Sequence, residues 1–345
     1  MPGPRFPRAI LPGLALAVLV AVLARGAHAL LPAGAQRLLA EVILAVLFGL
    51  LLGNLARLPS VFAPGVRFTY HAVLRAAIVL LGASLSLQRV LAIGGKALVM
   101  VAVLMCVALL VAHALGRVAR IPSRLATLIG VGTAVCGNSA IAAAAPVIGA
   151  TDEEVSFAIA TNTLFGTLAV FAYPALGHAL GLSDPVFGTW CGVAVNDTSQ
   201  VVATGFAYSD AAGKVATAVK LTRNALMGVV IVGVGIAYGR TGGSLVRRAR
   251  QSIPGFVLGF VAMAVLNSLG VFARLAAATG RPVPAILDGC ARALILVALA
   301  GVGLSARVAT MRAVGLRPFY LGLVTAATTA TLGFLLIHLL GPASG

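Results

Sequence analysis

The chain has 345 residues, of which 60% are hydrophobic and only 10% charged, with a mean hydropathy of +1.07 and a formal net charge of +17. That is more apolar surface than a soluble core of this length can hide, so lipid is the solvent, and a soluble enzyme is excluded. The basic residues are spread over short loops instead of forming a soluble basic segment, which reads as membrane topology and excludes nucleic acid as a partner.

Apolar runs long enough to cross about 30 Å of hydrocarbon recur along the whole chain. Their centres fall near Val18, Val46, Val79, Met105, Ala134, Leu168, Val195, Val230, Val261, Val297 and Leu332. The expectation is an all-α polytopic membrane protein of about eleven transmembrane helices, with residues 1–345 as a single membrane domain. Arg5 and Arg8 precede the first run and Ala27-His28-Ala29 follows it, a pattern shared with signal peptides. With ten further spans behind it, the run reads as a retained leading helix over 9–31. The second run starts at Glu41, within reach of water.

Lys and Arg favour one side of the membrane. Fourteen fall on the N-terminal side, from Arg5, Arg8 and Arg57 to Arg307, Arg312 and Arg317, and seven on the other, among them Arg37, Lys96 and Arg281. The bias predicts a multi-pass protein with a cytoplasmic N-terminus.

The fifth run is interrupted by Gly130, Gly132, Gly137 and Pro146 around Cys136, Asn138 and Ser139. An unwound polar segment survives in lipid only where it is buried or lines a cavity, so this is a broken helix. Asn138 or Ser139 is placed to cap a second half-helix whose free N–H groups make an anion site with Gly137. Tight packing through small residues is the alternative. The sixth run opens with Asp152, Glu153 and Glu154, suited to a helix N-terminus on the outer face. Asn162 and Thr163 follow within it, as ligand contacts or interhelical hydrogen bonds.

The seventh run contains Asn196-Asp197-Thr198-Ser199-Gln200. Asp alone costs about 2.5–3.5 kcal/mol at mid-membrane, a cost usually retained for function. Asp197 is placed to pair with Lys220 or Arg223, to take a proton, or to help bind a cation such as sodium. In the eighth run Lys220 and Arg223 share a helix face, with Asn224 four residues from Lys220. Arg223 offers planar bidentate donors to an oxyanion, whereas Lys220 could snorkel to the interface. Asp288 and Arg292 form an i, i+4 pair. Cys106, Cys136, Cys191 and Cys290 lack metal-type spacing and the five histidines do not cluster, so neither a metal nor another cofactor is expected.

Two short matches suggest internal symmetry. Leu74-Arg75-Ala76-Ala77 resembles Thr222-Arg223-Asn224-Ala225, and Gly130-Val131-Gly132 matches Gly301-Val302-Gly303, each five spans apart. An odd separation reverses orientation, which predicts two inverted five-helix repeats, 36–180 and 185–341, that pair the fifth span with the tenth. Arg75 would then present a second guanidinium. In a rival pairing, Ala134-Val135 and Ser139 recur as Ala194-Val195 and Ser199, two spans apart and therefore parallel.

Gly137-Asn138-Ser139-Ala140-Ile141-Ala142-Ala143 with Ala145-Pro146, then Ala194 to Ala203 and Val219-Lys220-Leu221-Thr222-Arg223, resemble in order and spacing the YeiH family of bacterial inner-membrane proteins, described as sulfate exporters. That family often has a second Gly where Asn138 stands. The resemblance implies kinship with the bile-acid symporter and cation/proton antiporter group, and with it broken crossing helices at the fifth and tenth spans. It further implies a small anionic substrate such as sulfate or a sulfonate, carried by alternating access. Asn138, Ser139 and neighbouring N–H groups would bind it, Arg223 and Arg75 would neutralise it, and Asn196, Asp197, Thr198 and Ser199 would tune the site or take a coupling ion. A sodium- or proton-coupled importer of an organic anion and a non-transporting membrane sensor are the alternatives, and a homodimer is compatible with either. No nucleophile stands beside a base, so an intramembrane enzyme is not expected.

Overall fold

The structure is a computed structural model that describes residues 6–32, 35–36, 39–56, 58–240, 243–251, 254–309 and 315–343. Arg5, Arg37, Arg57 and Arg312, counted above in the charge asymmetry, lie outside them. Every regular element among the described residues is helical. In chain order these are α1 (Phe6–Leu30), α2 (Glu41–Leu55), α3 (Ser60–Ser84), α4 (Leu87–Val118), α5 (Ser123–Ala134), α6 (Asn138–Ile148) and α7 (Asp152–Ala179). Then follow α8 (Asp184–Ala194), α9 (Thr198–Tyr208), α10 (Asp210–Ala225), α11 (Met227–Ala237), α12 (Gly243–Gln251), α13 (Gly255–Ser268), α14 (Val271–Thr279), α15 (Val283–Ser305) and α16 (Leu316–Leu340).

Seven described segments are long and apolar enough to cross a membrane, with α10 and α11 forming one of them, and the pair α13 and α14, bent by 62°, makes an eighth. The expected eleven is larger for two physical reasons. Helix α2 has only 15 residues, and two of the apolar runs fold back on themselves.

The chain forms two compact units, Met1–Val90 with Leu258–Val308, and Leu91–Val257 with Ala309–Gly345. In the first unit, small residues let helices touch backbone to backbone, the usual means of association where lipid removes the hydrophobic drive. Gly49 and Gly53 of α2 face Ala300, Gly303 and Leu304 of α15, and Gly13 of α1 faces Gly65 of α3. Asn54 extends the first of these seams, its Nδ2 donating to Ala306 O at 2.8 Å while its Oδ1 accepts from Val308 N at 2.8 Å. Helix α3 makes one widened π turn at Thr69–Val73, beside which Gly301 accommodates Thr69. The tenth apolar run is therefore not broken. Helix α15 is continuous, and Gly301 and Gly303 serve close packing instead of a discontinuity. Glu41 pairs with Arg25 at 3.0 Å, joining α2 to α1, and Asp288 pairs with Arg292 at 2.6 Å within one turn of α15.

In the second unit the fifth and seventh runs are helical hairpins. A Cβ on Gly132 of α5 would meet Ile141 of α6, nine residues on, which a continuing helix would carry about 13 Å away. The open ends of this hairpin lie together too, because Thr127 Oγ1 is 3.0 Å from Tyr238 Oη while Val147 packs against Gly235. The same holds for α8 and α9. Cys191 Sγ lies 3.5 Å from Val201 O, and the rings of Phe187 and Tyr208, at the two outer ends, stack with centroids 3.9 Å apart.

Helix α7 connects the two hairpins, so they enter from opposite ends of it. Its first turn is secured by a capping box, with Thr151 and Glu154 each accepting from the other's backbone N–H. Since the first hairpin returns to its starting end, Asp152, Glu153 and Glu154 stand at the same end of this unit as Arg117, Arg120 and Arg124, not at the opposite face as expected. Short α12, with Leu245 buried against Gly235 and Arg247 and Arg248 exposed, lies at that basic end. Helix α16 packs along the second hairpin, where Ala330 O accepts from Trp190 Nε1 at 2.9 Å.

Candidate functional site

Where the hairpins meet, each tip presents a helix C-terminal end and a helix N-terminal end. The carbonyl ends of α5 and α8 carry partial negative charge and have no intrahelical partners. Buried without partners, each such group costs about 1–3 kcal/mol. Two cations from α10 satisfy them. Arg223 donates from Nε to Ala134 O at 3.1 Å, from Nη1 to Val193 O at 2.7 Å, Val195 O at 3.0 Å and Gly192 O at 3.4 Å, and from Nη2 to Thr133 O. Lys220 donates from Nζ to Val135 O at 2.9 Å, Val195 O at 3.0 Å and Asn196 O. Both side chains are buried, at 2% and 0% exposure. The cations and the carbonyl ends thus stabilise each other where either alone would be costly.

This corrects two expectations. Arg223 directs its guanidinium at the hairpin tips, each of its three nitrogens donating to at least one backbone oxygen. Lys220 does not snorkel, because its ammonium is held at the tips. Arg75, matched to Arg223 by sequence, has different surroundings: it lies exposed on α3 of the first unit, and the paired tips are built from the second unit alone.

The N-terminal ends of the tips differ. Helix α9 begins with Asp197, whose Oδ1 accepts from Ser199 N at 2.9 Å and Ser199 Oγ at 2.7 Å, while Gln200 Oε1 accepts from Asp197 N at 3.3 Å. It is a closed, charged cap. Helix α6 begins after Gly137, which has φ of +67° and no side chain to cap with. A Cβ at Gly137 would stand 2.6 Å from Asn162 Nδ2 and 2.8 Å from Asp197 Oδ2, so only glycine fits there. Ser139 is exposed and Asn138 half-buried at this uncapped start, and Asp197, Thr198 and Ser199 are half-buried at the other tip, with Asn196 buried.

Two asparagines that sequence reasoning left at the margin complete the arrangement. Asn162 of α7 donates to Asn138 Oδ1 at 3.4 Å, and Asn224 of α10 donates to Thr198 Oγ1 at 3.1 Å. Each supports the first residue of a hairpin's second helix, and each is at most 2% exposed with an Oδ1 that has no protein partner. A buried amide oxygen of this kind is a group that a ligand or a solvent molecule satisfies. The sequence signal for them was their polarity within apolar runs, Asn224 also lying four residues from Lys220; nothing in it joined them to Asn138 and Thr198.

A family described as Conserved hypothetical protein 698 matches residues 12–322. The chain belongs to this family. It is 36% identical over 277 residues to a UPF0324 membrane protein of Agrobacterium fabrum, covering 80% of this chain and 78% of that one. Against a UPF0324 membrane protein of Bacillus cereus the identity is 31% over 335 residues, covering 95% and 91%. A third, from Nitratidesulfovibrio vulgaris, is 33% identical over 303 residues, covering 85% and 82%. No solved structure matches. The match to Conserved hypothetical protein 698 spans both hairpins and both cations, so the site lies inside the region that defines the family. Together with the apolar helices, the relatives identify a multi-pass membrane protein.

Proposed function

We propose that this protein is a secondary transporter that moves a small anion, of the sulfate or sulfonate class, by alternating access. The observation that carries the reading is the uncapped start of α6 at the meeting point of two hairpin tips, with Ser139 exposed and Asn138 half-buried. A helix N-terminus offers oriented N–H donors and the positive end of a dipole to an anion. In this reading Gly137, Asn138 and Ser139 bind the anion, and Asn196, Thr198 and Ser199 line the facing tip. Asn162 and Asn224 orient both, and a terminal amide turned by 180° offers N–H donors in place of its oxygen. Lys220 and Arg223 hold the tips together instead of touching substrate.

The hairpins enter from opposite ends of α7, which supports an inverted repeat of hairpin plus following helix, α5 to α7 and α8 to α11. The matched residues Ala134-Val135 and Ser139 with Ala194-Val195 and Ser199 then fall at equivalent tip positions. Their inverted relation was hidden because counting spans assigns a crossing to each hairpin. The basic residues at the end where the first hairpin opens favour a cytoplasmic placement of that end in a bacterial inner membrane.

A proton-coupled version is favoured by Asp197, whose Oδ1 caps α9 while its Oδ2 faces Gly137. The test is flux of labelled sulfate, sulfonates, carboxylates and phosphate in proteoliposomes, paired with thermal unfolding against the same panel, since a ligand of the folded state raises the midpoint. One anion giving both flux and stabilisation is the expected result. Absence of flux with stabilisation retained would favour a sensor, and absence of both would sink the anion site.

A further inference from the structure

The ammonium of Lys220 sits in an oxygen cage made of two different helix ends. Val135 O comes from the C-cap of α5 and Val195 O from the C-cap of α8, at 2.9 and 3.0 Å, with Asn196 O as the third acceptor. An ammonium has three donors and no acceptor, and all three are used. A neutral amine would turn a lone pair toward one of those carbonyls, so the cage selects a cation. Carbonyl oxygens at the ends of discontinuous helices are also the groups with which transporters hold coupling sodium ions near mid-membrane. The charged neighbours are Arg223 on the same helix face and Asp197 on the second tip. Arg223 shares Val195 O with Lys220 and otherwise donates to carbonyls outside the cage, so Val135 O and Asn196 O are left to Lys220.

We propose that Lys220 is a tethered cation occupying a site whose geometry suits a free monovalent cation. The protein accordingly works without sodium, and shortening Lys220 turns the cage into a binding site for sodium, potassium or ammonium. The cage stands on the two tips alone; its bearing on coupling rests on the transporter reading, where it separates a proton-coupled or uncoupled carrier from a sodium-coupled one.

The experiment follows thermal unfolding of the full-length purified protein in chloride salts of sodium, potassium, ammonium and choline at equal ionic strength. It uses no anionic substrate beyond chloride, common to all four, so the cage and the anion site can fail separately. The wild-type midpoint is expected to be the same in all four salts. Lys220→Ala is expected to unfold at a lower temperature in choline and to recover by about 3 °C or more in one of the three small cations. Lys220→Ser, whose short side chain leaves nearly the same room, should behave alike and guards against a defect peculiar to alanine. Specific stabilisation of the wild type by sodium would overturn the proposal. So would variants whose midpoints ignore cation identity, or variants that fail to fold even when prepared in sodium, since the small cation is expected to replace the tethered one.

Discussion

The two hairpins use one scaffold in two ways. Both end in a carbonyl cluster held by the cations of α10, and both have the first residue of their second helix supported by a buried asparagine. They part at the residue that opens that second helix, Gly137 in one and Asp197 in the other. The second tip carries its own negative charge and a reciprocal cap; the first has a bare N-terminus and no room for a side chain. A protein that needed both ends only for stability would cap both. On the proposed reading, the open tip is the one that takes the ligand, and the closed tip serves structure and coupling.

The largest expected effect strikes what the hairpins share. Arg223→Ala leaves the carbonyls of Thr133, Ala134, Gly192, Val193 and Val195 without this partner in a buried setting, a loss of about 3–5 kcal/mol. Its thermal midpoint should fall below those of the Gly137, Asp197 and Ser139 variants, and a midpoint equal to that of the wild type would show that the guanidinium is not the keystone. Gly137→Ala comes next. It forces a side chain into a positive-φ conformation against Asp197 and Asn162, costing about 1–3 kcal/mol in strain, and it should also remove anion-dependent stabilisation. Anion binding that survived unchanged would place the ligand elsewhere.

Asp197→Ala makes the second tip resemble the first, with loss of the α9 cap at about 0.5–2 kcal/mol in chemical unfolding. If the contrast between the tips is functional, this variant gains a second uncapped end, and its anion stabilisation should not fall. The smallest effect on folding belongs to Ser139→Ala, within about 0.5 kcal/mol of the wild type. Its anion affinity should still drop roughly 3- to 10-fold, as removal of one hydrogen bond predicts. Equal affinities in titration calorimetry would remove Ser139 from the site.

Much of this was legible before the fold was known. The glycines around Cys136 and the polar run from Asn196 to Gln200 marked both interruptions, and the two cations of α10 stood out as costly residues in an apolar stretch. What could not be read was direction. A stretch of about 25 apolar residues with a central break has the same composition whether its halves continue or double back. The choice is made by contacts with Lys220 and Arg223, some 25 to 90 residues away. The counting of crossings inherited that ambiguity, which put Asp152 to Glu154 at the wrong end. The glycines of the tenth run misled for a different reason: Gly301 and Gly303, like the matching Gly130 and Gly132, lie inside a continuous helix and serve packing, against Thr69 and Val46 in one case and Ala112 and Ile141 in the other.

The seam between α2 and α15 has its own consequence. Helices separated by side chains can slide by exchanging rotamers, but Gly49, Gly53 and Gly303 bring main chain against main chain, leaving no rotamers to exchange. The amides along that seam should be among the slowest in the molecule to trade hydrogen for deuterium, and the first unit should behave as a stiff plate on the timescale over which a carrier turns over.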